Sequence, residues 1–444
     1  MRSFPRSLFI DSAEILSGHY VDKHSSAACF LRDIGYLDEP AANDLDPSLD
    51  VRIDLLRIAA KMELFALEVP DAPRMVFIGG RVLPDAFTGY KGFQSSSASG
   101  ISPKLRTAFE SCVGEAIEYL SQLTPQHDIT KDDNNNIDRT GDNSFSEDHW
   151  LCYHAMKKQN ASEKKWLLGK NLLTNEDRWV PEVLCLRQKA SLNTRGLSTG
   201  CAAGVSLDAA ITSAIFELVE RDAASLWWEG GRPPRPVSNE ALVDAEIETV
   251  FKLAGRTGNK KTTLILDITT DIDIPCIAAI STDAKSGGRF SCGLSCRVSL
   301  TQAIRKAVYE MMQMELSHHL IAIKSRLHGV EALNNQEKVQ QNRDESLGDI
   351  WDSPLIRTTG RPRLADDVMT APSTELQKAL EQLTQVGFDA TMVDLSREDF
   401  GIPVAKVLIP ELQTYPLVST TTRLANMIAD TGGGGQYTGG VSLL

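Results

Sequence analysis

The chain has 444 residues, a formal net charge of −13 and a pI near 5.2, with 42% apolar and 24% charged residues. This is the make-up of an ordinary globular chain with core for two or three domains, and its acidity argues against nucleic acid, whose binding rests on clustered Lys and Arg. No apolar run approaches the ~18 residues of a membrane span, and the run inside MRSFPRSLFIDSAEI is too short for a signal peptide, so the expectation is a cytoplasmic protein with no membrane partner.

Residues 1 to about 75 alternate helical patterns with short polar links, as a docking domain or a first layer of the fold would. Val51–Val69 spaces its apolar residues as one amphipathic helix. Met75–Val82, MVFIGGRV, reads as a strand with a glycine turn. Gly92–Gly100, GFQSSSASG, reads as a small-residue loop; such loops let backbone amides approach phosphates and are equally often plain linkers. A helix, ESCVGEAIEYLSQL, follows. Pro125–Asp148 has almost no core-forming residues and reads as an exposed polar insertion.

Trp179–Leu186, WVPEVLCL, reads as a strand, and a polar link spans Gly230–Asn239. Lys261–Asp267 and Ile274–Ser281 are expected as buried strands. Arg289–Arg297 leads into a long helix from Leu300 to about Arg326. In it His318 and His319 are adjacent, so they point to different sides and read as separately satisfied rather than as a ligand pair. Asn334–Asp352 is polar and reads as a loop. Ser373–Gln385 is an amphipathic helix, and Ala390–Asp394 and Val404–Ile409 are strands. The tail ADTGGGGQYTGGVSLL has no GK[ST] after its glycines, so it is no phosphate loop of that type and reads as flexible. The eight cysteines form no CxxC pair, and no His partner completes a zinc site around Cys292 and Cys296. Reduced, mostly buried thiols are expected.

One stretch stands out: Ser198–Trp228, STGCAAGVSLDAAITSAIFELVERDAASLWW. Ser206 and Asp208 stand where a helix cap belongs, and Ala210, Ile211, Ala214, Ile215, Leu218 and Val219 recur as a buried helical stripe. Ser213, Glu217 and Glu220 or Arg221 then share one other face. Ser111, Glu115 and Glu118 repeat this spacing in ESCVGEAIEY, and Lys306, Glu310 and Gln313 repeat it in IRKAVYEMMQ. Carboxylates one turn apart repel unless a cation bridges them, and a hard divalent ion such as Mg²⁺ takes oxygen ligands and phosphates. A solvated acidic face is the competing reading.

AAGVSLDAAITSAIFELVERDAASLWW resembles the signature of the YcaO family. ESCVGEAIEY resembles that family's first ATP-site helix, SxxxExxER; WVPEVLCL resembles its VPA strand; and GIPVAKVLIPEL (Gly401–Leu412) resembles its late segment. The matches come in family order from about Gly92 to Leu412. The resemblance implies an α+β (mixed α/β) YcaO-type fold, with sheets covered by helices and an ATP site among the signature helices. It divides the chain into a helical region of unknown role (1–75), a core (76–412, with the insertion at 124–148) and a glycine-rich tail (413–444). It implies ATP and Mg²⁺ as cofactors. Glu115, Glu118, Glu217 and Glu220 are the implied Mg²⁺ ligands, and Ser111, Arg221, Lys306 and Glu310 join them in binding the nucleotide; no side chain is singled out as catalytic.

There are departures. Ser97, Ala98, Ser99 and Gly100 stand where the family often has SGKG, so the lysine is missing. Tyr119 replaces an arginine, Thr199 and Val205 fall where asparagines are frequent, Lys306 replaces an arginine beside Arg305, and GGVSLL is not a proline-rich end. The implied reaction is ATP-dependent activation of a backbone amide oxygen in a ribosomal precursor peptide, giving thiazoline or oxazoline from Cys, Ser or Thr. A thioamide-forming enzyme with a TfuA-like partner and a non-catalytic scaffold are the alternatives. The chain has no room for a fused ThiF-like leader-binding partner, which is expected as a separate chain; the resemblance also admits a flavin dehydrogenase partner and a homodimer.

Overall fold

The computed structural model describes residues 2–19, 22, 24–37, 47–124, 166–187, 197–256, 260–347, 350–363, 372–414 and 420–443. The expected insertion at 124–148 lies outside them except for Thr124, as does Cys152. The chain is mixed α+β, as expected, and groups into two compact units. The first takes Met1–Leu67, Val76–Ile215 and Thr370–Glu411; the second takes Glu68–Met75, Phe216–Met369 and Leu412–Leu444.

The first unit opens with β1 (Arg2–Ser3), α1 (Arg6–Leu16), α2 (Ser26–Asp33), α3 (Leu49–Ala59), β2 (Glu63–Glu68), β3 (Val76–Val82) and β4 (Ser96–Ser102). The four strands form a sheet in the order β1-β2-β3-β4, with the β1–β2 and β3–β4 pairs antiparallel. Helix α4 (Leu105–Ser121) packs on it with Ala108, Val113, Ala116, Ile117 and Leu120 fully buried. The approach is close: a Cβ on Gly100 of β4 would lie 2.2 Å from the Ala108 carbonyl oxygen. The N-terminal helices share this core, since the rings of Phe9 and Phe30 lie 5.9 and 5.7 Å from that of Phe109 on α4. A second antiparallel sheet combines β5 (Trp166–Asn171), β6 (Asp177–Pro181), β7 (Cys201–Ala203), β12 (Thr391–Asp394) and β13 (Val404–Leu408) in the order β6-β5-β12-β13-β7.

Helix α5 (Leu207–Trp228) has residues in both units. The second unit continues with β8 (Arg235–Pro236), α6 (Asn239–Asp244), α7 (Ile247–Leu253), β9 (Lys261–Asp267), β10 (Cys276–Asp283), β11 (Ser291–Cys296), α8 (Leu300–His328) and α9 (Asn335–Ser346). Its strands form an antiparallel sheet in the order β11-β10-β9-β8, and α8 packs on β10 and β11. Again a glycine permits the approach: a Cβ on Gly293 would lie 2.1 Å from the Ala307 carbonyl oxygen and 2.2 Å from the Met311 nitrogen. Helix α10 (Pro372–Gln385) belongs to the first unit, and α11 (Thr422–Thr431) and α12 (Gly435–Thr438) to the second.

Several expectations need correction. Val51–Val69 is not one helix: α3 ends at Ala59, and Glu63–Glu68 pairs as β2 between β1 and β3, sheet pairing overriding the helical spacing. GFQSSSASG is only half loop, because Ser96–Gly100 lies in β4 and pairs with β3. WVPEVLCL leaves the sheet after Pro181 and makes a 3₁₀ turn over Glu182–Leu184. Asn334–Asp352 is largely helix: Asn334 and Glu337 form a reciprocal capping box that starts α9. The glycine-rich tail is packed rather than loose. Trp228 Nε1 donates to Val441 O at 2.7 Å, Gly434 N donates to Glu229 O at 2.8 Å, and a Cβ on Gly434 would sit 1.7 Å from Trp228 O. Glycine there serves close packing. His318 and His319 do face different partners, Phe290 O at 3.0 Å and Asp71 Oδ2 at 2.7 Å.

Gly293→Ala is expected to destabilise the protein by roughly 1–3 kcal/mol or more, the cost of overpacking a tight contact. Gly114→Ala, in mid-helix with nothing within 4 Å of the added Cβ, is expected to stabilise it by about 0.5–1 kcal/mol. Denaturant midpoints report both, and equal shifts would contradict the packing of β11 on α8.

Candidate functional site

In the first unit Ser111, Glu115, Glu118, Tyr119 and Gln122 follow each other at four, three, one and three residues, so they run along one face of α4. Strand backbone fixes the two carboxylates. Ser99 N on β4 donates to Glu115 Oε2 at 2.7 Å, and Ala203 N on β7 donates to Glu118 Oε1 at 2.9 Å. An amide that points at a carboxylate strengthens the ionised form. Tyr119 donates its hydroxyl to Gln94 O at 2.5 Å. Ser111 is exposed at the start of the same face.

In the second unit the acidic face of α5 meets α8. Ser206 caps α5 by accepting from Ala209 N at 3.2 Å, and all six residues of the expected apolar stripe are buried. That burial holds Glu217, Glu220 and Arg221 in place. Arg221 Nη2 lies 3.5 Å from Glu217 Oε1 and Nη1 lies 3.6 Å from Glu220 Oε1. Glu220 is 7% exposed. Burial pushes its carboxyl up to about 7; Arg221 and Arg297 oppose this, while the charges of Glu310 and Glu217 add to it. Glu310 accepts from Leu294 N at 3.2 Å, and desolvation of its carboxyl pushes it up as well, against the opposing charges of Arg221, Arg297 and Lys306. Lys306 is exposed on α8 and its charge favours ionised Glu310.

The two units repeat one local device. In each, a hairpin strand donates an N–H to a helix carboxylate 16 residues further on, Ser99 to Glu115 and Leu294 to Glu310. The structure therefore brings Glu217, Glu220, Arg221, Glu310 and Lys306 together in the second unit, and Ser111, Glu115 and Glu118 onto one face in the first. Among the described residues no group of three or more His, Cys, Asp or Glu side chains is gathered as a metal cage. Mg²⁺ commonly rests on one or two carboxylates plus phosphate oxygens, so it needs no such cage. A carboxyl pushed up chiefly by burial, with the charges of Glu310 and Glu217 adding to it and their oxygens near it, fits a divalent cation. The described cysteines are free thiols, all buried except Cys29.

Some residues of these surroundings were not foreseen. Arg297 follows β11, lies 5.8 Å over the Phe216 ring and supplies positive charge to Glu220 and Glu310. Lys406, 2% exposed in β13, donates to Leu197 O at 2.8 Å and Thr199 O at 2.6 Å and so pins the chain entering β7. A lysine inside the apolar run GIPVAKVLIPEL was a readable signal for it. Asp222, fully buried, accepts from Arg423 Nε at 2.9 Å and Gln413 N at 2.9 Å and ties α5 to the C-terminal segment. Arg187 lies directly after the recognised strand and rests on Tyr119 and Gln122. A cavity of about 610 Å³ in the first unit, walled by Leu172, Leu173, Leu376, Leu380 and Thr384 among others, contains none of the signature side chains.

Comparison with known proteins agrees with the motifs. The profile of the family described as YcaO cyclodehydratase, ATP- and Mg²⁺-binding, matches residues 99–413, well over half of the chain. An uncharacterized protein of Methanothermobacter thermautotrophicus is 24% identical over 266 residues, 57% of this chain and 67% of that relative. Among solved structures, a heterocyclase in complex with substrate and cofactor superposes with a TM-score of 0.61 at 19% identity, over 83% of this chain and 52% of its own; the chain thus spans about half that heterocyclase. YcaO from Methanopyrus kandleri bound with AMPPCP and Mg²⁺ gives 0.54 at 18% identity, over 80% and 86%. The E. coli microcin synthetase McbBCD complex gives 0.52 at 16% identity, over 79% and 88%. At these identities the likeness is one of fold.

The Glu220 shift sets a pH signature. An acid whose carboxyl is raised from 4.5 to about 7 on folding binds its proton more tightly in the folded chain. That contribution to stability is fully present below the unfolded value and is lost as pH rises through 7. The thermal midpoint of the ligand-free protein is expected to fall more between pH 6 and 8 in wild type than in Glu220→Gln. Parallel slopes would contradict the shift.

Proposed function

Because the chain belongs to the YcaO family of ATP- and Mg²⁺-binding cyclodehydratases, we propose that it is the cyclodehydratase subunit of a ribosomal-peptide system, forming azoline rings from Cys, Ser or Thr of a precursor peptide. The observation that supports this reading most is the acidic centre on α5 and α8. There Glu217, Glu220 and Glu310 lie among Arg221, Arg297 and Lys306, and the Glu220 carboxyl is buried and pushed up to about 7. The carboxylate oxygens of such a centre suit a ligand that brings a hard divalent cation. In this reading Glu115, Glu118, Glu217 and Glu220 hold Mg²⁺, and Ser111, Arg221, Lys306 and Glu310 contact the nucleotide.

Mg²⁺-ATP supplies the phosphoryl group that makes an amide oxygen a good leaving group and the charge that offsets the developing negative charge. The chain's own residues then bind and orient. Arg221 is held between Glu217 and Glu220, so its fork keeps one orientation while remaining charged. Glu115 and Glu118 are aimed by backbone amides of β4 and β7 and need no rearrangement to meet a cation. The nucleophile comes from the substrate, which accords with buried thiols whose ionisation burial suppresses: Cys185 is pushed up to about 12, and Cys112 and Cys292 higher still. Two neighbours in fold bear on the partners. One heterocyclase was solved with its substrate, and a microcin synthetase McbBCD complex was solved with pro-MccB17 bound. A precursor peptide and a separate leader-binding chain are the partners proposed here.

The test combines the purified protein with that leader-binding chain, a precursor peptide, ATP and Mg²⁺. The expected outcome is loss of water from the peptide, seen by mass spectrometry, with phosphate release in step. Glu217→Gln and Glu220→Gln are each expected to slow it by roughly 10²–10³-fold, the usual effect of removing one charge-stabilising group, with the circular dichroism spectrum unchanged. Oxygen-to-sulfur exchange in place of water loss, or wild-type rates in both variants, would overturn the reading.

A further inference from the structure

Among the described residues Arg187 is a guanidinium without a counter-charge. It is half-buried, and among the described residues no carboxylate lies within ion-pair distance of it. Its partners among the described residues are neutral. Nε donates to Gln122 Oε1 at 2.8 Å, the backbone N donates to Gln122 O at 2.6 Å, and Cζ lies 5.5 Å from the centroid of the Tyr119 ring. Its two terminal nitrogens have no partner among the described residues. Burial works against its charge and lowers its pKa, yet an arginine keeps its proton. Buried charges are normally paired, because desolvation costs too much otherwise.

This cation is also held still. Tyr119 is anchored by its hydroxyl on Gln94 O, and Gln122 is 1% exposed. The guanidinium therefore sits on a platform of one ring and one amide. The platform continues the face of α4 that carries Glu115 and Glu118; Tyr119 and Gln122 follow Glu118 by one and four residues. A fork-shaped donor pair with fixed orientation suits phosphate oxygens. Next to carboxylates that prefer a metal-bound ligand, an anion carrying its own divalent cation is the ligand that satisfies both signs of charge.

We propose that Arg187 is a phosphate-recognising residue of the nucleotide site, its terminal nitrogens donating to non-bridging phosphate oxygens of ATP from the platform formed by Tyr119 and Gln122. The proposal rests on the ATP-binding reading above and adds a residue to it. Arg187 acts on binding and orientation and takes no part in bond making.

Calorimetry on the full-length protein tests it, with Mg²⁺-ATP and adenosine as the two probes and wild type, Arg187→Met and Arg187→Lys as the proteins. Arg187→Met is expected to weaken Mg²⁺-ATP by about 10- to 100-fold, the size of a lost charged hydrogen bond, and to leave adenosine affinity unchanged. Arg187→Lys keeps the charge and stem but loses the fork, so an intermediate loss for Mg²⁺-ATP alone is expected; it also carries the test if the methionine variant does not fold. Mg²⁺-ATP affinity within twofold of wild type in a folded variant would overturn the proposal. So would an equal loss for ATP and adenosine, which marks a packing role. Failure of the wild type to bind Mg²⁺-ATP would instead remove the ATP-binding reading, and this inference with it.

Discussion

The arrangement depends on backbone amides that fix carboxylates. Acidic side chains gathered on helix faces repel one another, and no fold keeps them together unless something compensates. Here strand N–H groups do part of that work: β4 and β7 donate to Glu115 and Glu118, and β11 donates to Glu310. Arg221 does another part by lying between Glu217 and Glu220. Burial still pushes the Glu220 carboxyl up to about 7, with the charges of Glu310 and Glu217 adding to it.

The close packing of helix on hairpin is what makes those bonds reachable. Gly100 and Gly293 bring β4 and β11 to within van der Waals distance of helix backbone, so that an amide on the strand can meet a carboxylate on the helix. The same 16-residue separation between donor and acceptor in both units makes the second a local echo of the first. At the far end of α5 the C-terminal segment contributes too, since Asp222, next to Arg221, is gripped by Arg423 and Gln413. The orientation of the acidic face thus depends on residues about 200 positions downstream.

Much of this was legible in the sequence. The stripe of α5, the spacing of Glu115 and Glu118, and the strands at 261–267 and 404–408 follow from periodicity, which local side-chain pattern carries directly. What was not legible was set by distant partners. Glu63–Glu68 spaces its residues acceptably for a helix and becomes a strand because β1 and β3 flank it. The tail glycines suggest freedom, yet Gly434 is there because Trp228 leaves no room for a Cβ. The helix at 335–346 was legible after all, through the Asn334–Glu337 capping pattern, and its polar composition masked that signal. Arg187 gave no local sign, since its meaning lies in the ring of Tyr119, 68 residues earlier in the chain.

The central claim is that these carboxylates hold a divalent cation jointly with a nucleotide. Electron paramagnetic resonance of Mn²⁺, titrated into the protein as a stand-in for Mg²⁺, reads it directly. Weak Mn²⁺ binding to the protein alone that becomes tight and stoichiometric when ATP is added, and that is lost in Glu115→Gln, is the predicted result. Equally tight Mn²⁺ binding with and without ATP, or none in either case, would contradict the account.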